Sequence, residues 1–299
     1  MINKVGYACI NEHFKPETFK SCRLKTIKEK GIKYLRTIIL HNLELTYNIL
    51  NWNIENNIFM YRATSDLMPL VTHRDILELD DWRWFYDDEI LDRLRSINEF
   101  VMMNQIRLSM HPDQFTVLNS PREKVVKASI SYLEYHEKLL SLMGGSDLII
   151  HVGGVYGDKV ESRKRFINQY RLLSDEIKYL IRIENDDKSY TIFDVLEISE
   201  LTGVKVVFDY HHHRCLSGVK VTNDLIQHIE NTWQGQTPKM HISSGKTDIK
   251  DRRHHDYISV DDSRILSDIY SVHSVDVMVE AKKKEFAALK LMADLSHSQ

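Results

Sequence analysis

The stretch DLIIHVGGVYGDKVESRKRFINQYRLLSDEIKYLIRIE, residues 147–184, decides the fold predicted for this chain. Its two ends are short apolar runs, DLIIHV at 147–152 and LIRIE at 180–184, whose length and β-branched residues predict buried strands. Between them, apolar residues recur at helical spacing over 162–179, which predicts a helix. The stretch therefore forms one strand–helix–strand unit.

The same alternation of short apolar runs and longer helical patterns continues along the whole chain. Further strands are predicted at 5–10, 59–65, 106–111, 205–209, 238–242 and 274–280. Eight strand–helix units predict an α/β fold, a single (β/α)8 TIM barrel over residues 1–299. An open doubly wound sheet is the alternative, but the sequence lacks the glycine-rich phosphate turn that such a fold places after an early strand.

Three segments between the predicted strands carry further expectations. Residues 121–143 show a helical pattern, and residues 23–57 hold either one long helix or two. Residues 67–85 are predicted to form a long loop after the second strand. Long loops in compact domains are often functional, so this segment is a candidate part of a site.

Composition narrows the class of protein. With 40 Lys+Arg against 43 Asp+Glu the net charge is -3, so any nucleic-acid partner must be held by a local basic patch. The 3 cysteines lie at no metal or redox spacing, which fits a reducing compartment. No run approaches the roughly 18 apolar residues of a membrane span. We expect a soluble, cytoplasmic protein without a membrane partner, and no protein partner is evident.

The ends of the predicted strands share one chemical character. In a (β/α)8 barrel the chemistry lies at the carboxyl ends of the strands. Six consecutive strands, the third to the eighth, end in a His, Asp or Glu: His111, His151, Glu184, Asp209, His241 and Glu280. With 15 His and 43 Asp+Glu in 299 residues, six in succession is improbable by chance.

Such a ring of ligand-type side chains indicates a metal site. Three imidazoles and three carboxylates are costly to bury together, and divalent cations are the usual compensation. Six ligands exceed the needs of one tetrahedral site, so more than one metal is expected. For each residue alone a structural role is the simpler interpretation; Asp209, for example, would cap the following turn. Phosphodiester hydrolysis and sugar isomerisation both use such sites, and the ring alone does not choose between them.

Longer motifs resemble one known family, the UV damage endonucleases, which belong with endonuclease IV among the xylose-isomerase-like barrels. The resemblance runs nearly from end to end. It rests on GYACIN near the start, HNL at 41–43, YRATSDLMP at 61–69, SMHPDQFTVLNS at 109–120, IHVGGVYGDK at 150–159, ENDD at 184–187, FDYHHH at 208–213, KMHISS at 239–244, HDYI at 255–258 and VMVEAKKKE at 277–285.

The resemblance implies a metal-dependent DNA repair enzyme. Its substrate would be damaged double-stranded DNA, nicked immediately 5′ to cyclobutane pyrimidine dimers and 6-4 photoproducts, with abasic sites as a further candidate and 3′-hydroxyl and 5′-phosphate ends as products. Its cofactor would be a cluster of two or three divalent metal ions, manganese being the first choice. The family's ligands fall on His111, His151, Glu184, Asp209, His212, His241, His254 and Glu280.

The resemblance also assigns roles outside the ligand set. Alongside Glu184, it places a histidine, here His73, and a lysine that is carboxylated in part of the family, here Lys239, at the active site. Gln114 and Phe115 match a wedge that enters the gap left by the extruded lesion. Asp113 departs from the family, where a small residue is expected, and an acid there would repel phosphates.

Two further residues match contacts to the flipped dinucleotide, Tyr7 and Asn11. The residues by themselves favour a core tyrosine and a turn-forming asparagine instead.

Two other functions remain as alternatives. A sugar isomerase or epimerase uses the same barrel, but it needs a closed pocket, whereas Gln114 and Phe115 at a loop tip suit an extended polymer. The basic clusters at 163–165, 250–253 and 282–284 also suit an extended polymer. The simpler interpretation of each cluster is a solvent-exposed helix or loop surface. A damage-binding protein without catalytic activity is the third candidate, and it would have no need of the ligand ring.

Overall fold

The computed structural model of the protein describes residues 1–296, and its centre is a closed parallel barrel. The eight strands are β1 (Ile2–Ala8), β2 (Met60–Ala63), β3 (Arg107–Met110), β4 (Asp147–His151), β5 (Ile181–Glu184), β6 (Lys205–Asp209), β7 (Lys239–Ile242) and β8 (Val275–Val279). Each strand pairs with the next, and β8 pairs with β1. The predicted (β/α)8 barrel is therefore confirmed, and the open sheet is excluded.

Helices surround the barrel. In the described part of the chain they are α1 (Leu24–Lys30), α2 (Ile32–Glu55), α3 (Arg74–Leu79), α4 (Asp88–Met103), α5 (Glu123–Leu142), α6 (Lys159–Leu172), α7 (Asp175–Leu180), α8 (Ile192–Thr202), α9 (Tyr210–Leu216), α10 (Asn223–Thr232), α11 (Val260–Ile269) and α12 (Lys284–Ser296). Two 3-10 turns, Glu12–Phe14 and Trp84–Tyr86, add to them. Among residues 1–296, none of these helices combines the length and apolarity that crossing a membrane requires.

Three helical segments refine the sequence-based expectations. Residues 23–57 contain two helices, because Gly31 takes a φ of 79° between α1 and α2, a left-handed conformation that suits glycine. The single helix predicted over 162–179 is wrong, since Ser174 starts a second helix by accepting a hydrogen bond from Ile177 N on its Oγ. Residues 67–85 are not a plain loop, since they contain α3 and the start of a 3-10 turn.

Strand parity arranges the inside of the barrel in layers. Successive side chains of a strand face opposite sides, so Asp147, Ile149 and His151 of β4 all face inward. Leu148 and Ile150 face outward and belong to the large apolar core between strands and helices. The inward residues thus run from a charged base through an apolar middle to the mouth, and Ile149 packs in that middle with Val207 and Trp233.

The basal layer comprises Arg107, Asp147, Arg182, Lys239 and Asp276. The mouth layer comprises the six strand-end residues His111, His151, Glu184, Asp209, His241 and Glu280. The strand register places the mouth-layer residues at the same end of the barrel and beside one another. His151 pairs with Glu184 across β4 and β5, and Asp209 pairs with His241 across β6 and β7.

Candidate metal centre

The mouth layer and His212, three residues after Asp209, bring their ligand-type atoms together in three groups. In each group the ligand atoms lie within 4.8 Å of one another. The groups are His111 with His151 and Glu184, Glu184 with Asp209 and His212, and Asp209 with His241 and Glu280. Glu184 and Asp209 each belong to two groups. The arrangement is thus a chain of neighbouring sites joined by shared carboxylates, as expected from strands whose ends are level.

Several polar atoms in the mouth layer are buried without a hydrogen-bond partner. They are His151 Nδ1, Glu184 Oε2, Asp209 Oδ2 and both ring nitrogens of His241. Buried polar atoms are almost always satisfied, because leaving them unpaired costs free energy. Imidazole nitrogens and carboxylate oxygens are ligands for divalent transition metals, so these residues fit a metal cluster.

Glu184 lies at the centre of the mouth layer. Its Oε2 is 2.9 Å from His241 Nδ1 and 3.6 Å from His111 Nε2, and its Oε1 is 3.3 Å from His212 Nδ1. Burial opposes ionisation of this carboxyl, but the surrounding imidazoles, His241 foremost, hold its pKa well below the usual value. Glu184 is therefore a carboxylate near neutral pH.

Hydrogen bonds and burial prepare the imidazoles for metal binding. His111 Nδ1 lies 2.8 Å from Pro112 O and His212 Nδ1 lies 3.1 Å from Asn185 O. When His111 Nδ1 donates to its carbonyl, its Nε2 is left as the free acceptor facing Glu184, a common arrangement in metal sites. In His212, Nδ1 itself also faces the carboxylates, 3.3 Å from Glu184 Oε1 and 3.6 Å from Asp209 Oδ2. Burial lowers the pKa of His151 to about 4, so this ring is neutral at pH 7, as a ligand must be.

Asp209 combines a structural and a ligand-type oxygen. Its Oδ1 caps α9 by accepting a hydrogen bond of 2.7 Å from His212 N, as the simpler interpretation of the sequence predicts. Its Oδ2 has no hydrogen-bond partner. Burial, together with the neighbouring Glu184 and Glu280, raises the pKa of this carboxyl. A nearby cation would relieve that repulsion.

Asn185 is a residue of the site that the sequence reasoning missed. Its side chain bonds both backbone polar atoms of Asp209, donating to the carbonyl at 2.9 Å and accepting from the amide at 2.9 Å. This clamp fixes the end of β6 relative to the end of β5. An asparagine directly after a strand-end glutamate was visible in the sequence, but its partner was not.

Arg62 is a second residue that the sequence reasoning missed. It lies on β2 and its guanidinium donates a hydrogen bond to Glu280. Burial opposes ionisation of Glu280, but Arg62 and His241 hold the pKa of its carboxyl below the ordinary value. An arginine in the otherwise apolar run of β2 was the available signal, since parity turns it toward the barrel interior.

His254 lies outside the three groups. It sits in the loop after β7, where a bridge between Gly245 and His254 fixes the backbone, and its ring meets that of His211 edge to face at 5.8 Å. Its charge helps to lower the pKa of Glu280, which places it near the mouth layer. A role for His254 as a metal ligand remains a prediction.

Lys239 and His73 also lie outside the three groups. Lys239 is fully buried in the basal layer, with its Nζ 2.9 Å from Asp147 Oδ2. Burial lowers the pKa of its amine to about 8. His73 is exposed and caps α3, with its Nδ1 accepting a 3.1 Å hydrogen bond from Asp75 N. Catalytic roles for these two residues remain predictions.

The predicted wedge lies at an exposed loop tip after β3. Gln114 is exposed, and the Phe115 side chain is 75% exposed, which is unusual for a residue of this size. Asp113 has a structural role that the sequence did not reveal. Its Oδ1 accepts a 2.7 Å hydrogen bond from Phe115 N, so the carboxylate shapes the turn that presents the wedge.

Tyr7 and Asn11 are buried, and Tyr7 faces outward from β1 into the core between the strands and the helices. Tyr7 OH donates to Asn53 Oδ1 at 2.8 Å and accepts from Asn11 Nδ2 at 2.6 Å. Asn11 also caps a 3-10 turn by accepting from His13 N. These contacts match the structural interpretation of both residues, and contact with a flipped dinucleotide remains a prediction.

This chain is similar in sequence to known proteins. Residues 3–299 match the family described as UV-endonuclease UvdE. The UV DNA damage endonuclease of Bacillus mycoides (strain KBAB4) is 35% identical over 289 residues, which cover 94% of this chain and 89% of that protein. That of Clostridium perfringens (strain 13 / Type A) is 33% identical over 299 residues, covering 98% of this chain and 70% of the relative.

Solved structures are similar over almost the whole chain. The crystal structure of SacUVDE superposes with a TM-score of 0.86 at 35% identity and covers 99% of this chain and 98% of that one. Endonuclease IV from Thermus thermophilus has a TM-score of 0.61 at 10% identity, covering 99% of this chain and 100% of that one. At that identity the second likeness concerns the fold alone.

Proposed function

Because the chain belongs to the UV-endonuclease UvdE family and is therefore a DNA repair endonuclease for UV damage, we propose that it nicks the backbone immediately 5′ to the lesion. The proposed lesions are cyclobutane pyrimidine dimers and 6-4 photoproducts, with abasic sites as a further substrate. The proposed products carry 3′-hydroxyl and 5′-phosphate ends.

The observation that carries this proposal is the set of buried, unpartnered nitrogen and oxygen atoms in the mouth layer. We propose that they hold two or three divalent ions, with manganese as the first choice. Bound there, such ions polarise the phosphate and lower the pKa of water, which is the chemistry that phosphodiester hydrolysis requires. His111, His151, His212, His241 and His254, with Glu184, Asp209 and Glu280, are the proposed ligands.

The chain's own residues have distinct tasks in this proposal. Glu184 and Asp209, each shared by two groups, set the spacing of the cluster. The neutral ring of His151 and the carbonyl-oriented rings of His111 and His212 offer fixed nitrogens. Arg62 fixes the Glu280 carboxylate. These side chains are preorganised, so little reorganisation is needed as charge develops on the phosphate.

Lys239 and His73 are the proposed additional catalytic residues. A lysine pKa of about 8 leaves part of the amine uncharged near neutral pH, and an uncharged amine can add carbon dioxide to give a carbamate. The Nζ atom would have to leave Asp147 for this, because two anions would otherwise adjoin. His73 follows the loop after β2, at the end of the barrel where the substrate would bind.

The proposed substrate is damaged double-stranded DNA. Extrusion costs least where base pairing is already weakened, and the exposed Gln114 and Phe115 suit a wedge that occupies the gap. Tyr7 and Asn11 are the proposed contacts to the flipped nucleotides. The basic clusters at 163–165, 250–253 and 282–284 all follow the carboxyl ends of strands, so they lie on the side where phosphates would pass.

One assay tests the proposed function. The purified protein with manganese is incubated with an end-labelled duplex that carries one defined thymine dimer, next to undamaged and abasic duplexes and an EDTA control. We expect a metal-dependent nick just 5′ to the dimer. Absence of a nick with metals bound would refute the proposal and would direct attention to sugar substrates.

The wedge is tested by replacing Phe115 with Ala. Loss of its ring should weaken binding of the dimer-containing duplex by about tenfold, because a stacked aromatic side chain contributes roughly 1–3 kcal/mol per base. Met103→Ala is the control, since Met103 is 81% exposed but ends α4 on the opposite side of the barrel. Unchanged binding by the Phe115 variant would make the wedge assignment wrong.

A further inference from the structure

The loop after β4, GGVYG at 153–157, has an unusual backbone conformation. Gly153 and Gly157 take φ values of 110° and 83°, and Tyr156 takes a φ of 47° between them. An aromatic residue is rare in this left-handed region because its Cβ meets the backbone. The Tyr156 side chain stays 43% exposed, whereas its neighbour Val155 packs against the core. Core packing therefore does not account for the strained tyrosine.

The loop is tied to the loop that carries Gln114 and Phe115. Asn119, fully buried, donates a 2.7 Å hydrogen bond from Nδ2 to Gly154 O. The two loops approach so closely at Gly153 that a Cβ there would lie 2.3 Å from Asn119 Oδ1. Tyr156 is therefore held in a fixed place relative to the wedge loop.

A fixed cation lies against the Tyr156 ring. The guanidinium carbon of Arg165 is 5.8 Å from the ring centroid. Arg165 is itself anchored, with Nε donating to Asn119 O at 2.8 Å and Nη2 donating to Ser162 Oγ at 2.7 Å. An exposed ring supported by an arginine resembles the platforms on which proteins stack the bases of nucleic acids.

We propose that Tyr156 is a second DNA-contacting aromatic residue, which stacks on a nucleobase of the damaged duplex next to the place where the wedge enters. Backbone strain at a functional residue persists where the surrounding structure enforces it, as Asn119 and Arg165 do here. This inference rests on the proposed function, because it takes DNA as the substrate.

The test compares Tyr156→Gly, Tyr156→Phe and a control, Tyr179→Ala. Tyr179 is 69% exposed on α7, just before β5, at the end of the barrel opposite the mouth. Each metal-loaded protein is titrated against the dimer-containing duplex, both by fluorescence anisotropy and by single-turnover nicking. Thermal unfolding is measured in parallel.

We expect the glycine variant to raise the half-saturating protein concentration about tenfold, the range that loss of one base stack produces. Its melting temperature should stay the same or rise, since glycine accepts a left-handed φ without strain. The phenylalanine variant should keep most of the affinity, and the Tyr179 control should bind as the wild type does. A residue with a merely structural role would instead lower the melting temperature on replacement.

Two outcomes would overturn the inference. One is a glycine variant that binds the duplex as tightly as the wild type. The other is a phenylalanine variant as weak as the glycine variant, which would point to the hydroxyl rather than to stacking. Failure of the proposed function shows separately, as a wild-type protein that does not nick the dimer duplex. If that protein also bound no DNA by anisotropy, both the function and the inference would be wrong.

Discussion

The basal layer and the mouth layer both bury charge inside one barrel, and they differ in how that charge is satisfied. In the basal layer, Asp147 receives hydrogen bonds from Arg107 Nε at 2.8 Å and Arg182 Nε at 3.0 Å. Arg107 also donates to Asp276 at 2.8 Å. Lys239 Nζ and Asp276 Oδ1 make no directed hydrogen bond, but Lys239 forms an ion pair with Asp147 Oδ2 at 2.9 Å and Asp276 forms one with Arg107. In the mouth layer, atoms of four residues have no hydrogen-bond partner.

This difference separates a structural from a functional use of the same residue types. Where cations and carboxylates alternate, each buried charge has its partner and the network holds the strands in register. Where imidazoles and carboxylates converge, Arg62 pairs with Glu280, but atoms of Glu184 and Asp209 keep no hydrogen-bond partner, so the arrangement is costly unless a cation binds. Converging imidazole and carboxylate atoms of several residues that are buried without hydrogen-bond partners, rather than buried charge as such, therefore identify the site.

The largest effect is expected from Glu184→Gln in the mouth layer. Loss of this shared carboxylate should reduce nicking on the order of 10³-fold, because single electrostatic groups at a reaction centre contribute about that much. The rise in melting temperature on adding manganese should also be lost, since only the folded protein holds the cluster. Single-turnover nicking and thermal unfolding with and without metal measure both effects.

Glu134→Gln is the matched control for this prediction, because Glu134 is exposed on α5 and far from the strand ends in sequence. Its nicking and its metal-dependent stabilisation should equal those of the wild type. Full metal content together with full nicking in the Glu184 variant would contradict the role given to the mouth layer.

Asp147→Asn in the basal layer should have the opposite pattern of effects, a large loss of stability and a small loss of nicking. It leaves Arg107, Arg182 and Lys239 without their carboxylate, and breaking a buried pair lowers the free energy of unfolding by about 3–5 kcal/mol. Nicking per folded molecule should fall far less than in the Glu184 variant, and any change that remains would report the effect of Asp147 on Lys239, the proposed catalytic residue. Urea unfolding measures the stability, with the exposed pair partner Asp92→Asn as the control, for which about 0.5 kcal/mol is expected.

The difference in the free energy of unfolding between the wild type and the Asp147 variant should disappear in acid. Burial opposes ionisation of Asp147, but Lys239, Arg107 and Arg182 hold the pKa of its carboxyl well below the usual value. Its contribution is therefore complete above the unfolded pKa near 4, and it declines as the pH falls toward the folded pKa. A stability gap that widened in acid would contradict the pairing.

A smaller effect is expected at His136, a buried imidazole of α5. Its Nε2 lacks a hydrogen-bond partner, as nitrogens of the mouth layer do. Burial, with a smaller contribution from His111, lowers the pKa of this ring to about 4 against the opposing effect of its hydrogen bond to Tyr132 O. In the unfolded chain this ring titrates near 6.5, so unfolding takes up a proton at any pH between about 4 and 6.5. Stability should fall from pH 6.5 to pH 4, by at most about 3 kcal/mol from this residue.

His136→Leu tests this by removing the titrating ring. Urea unfolding of the metal-free protein across this pH range should show a flatter slope for the variant. Any difference that persists at pH 8 reports packing and the lost hydrogen bond between His136 Nδ1 and Tyr132 O. An unchanged slope would mean that other groups carry the pH dependence.

Much of this molecule could be predicted from the sequence because a parallel barrel has strict periodicities. Short apolar runs fix the strands, and the ends of parallel strands meet, so His151, Glu184 and Asp209 could be placed together without coordinates. Partners that lie across the barrel follow no such period. Nothing in the spacing showed that Arg62 would meet Glu280 or that Lys239 would meet Asp147.

The smallest effect is expected at the wedge, where the interpretation of the sequence and the structure of Asp113 differ. As a charge, Asp113 should repel phosphates, whereas as an acceptor it holds Phe115 N at 2.7 Å and so shapes the loop. Asp113→Asn keeps an acceptor oxygen and removes the charge, whereas Asp113→Ala removes both. One hydrogen bond of this kind contributes about 0.5–1.5 kcal/mol.

We therefore expect the alanine variant to bind the dimer-containing duplex about threefold more weakly, within the range of one lost hydrogen bond. The asparagine variant should bind as well as the wild type or slightly better, most clearly at low salt, where repulsion of phosphates is least screened. Anisotropy titrations at two salt concentrations separate the two contributions. If the asparagine variant were as weak as the alanine variant, the turn would depend on the charge itself, and the wedge loop would join the basal layer as a place where a paired carboxylate holds the structure.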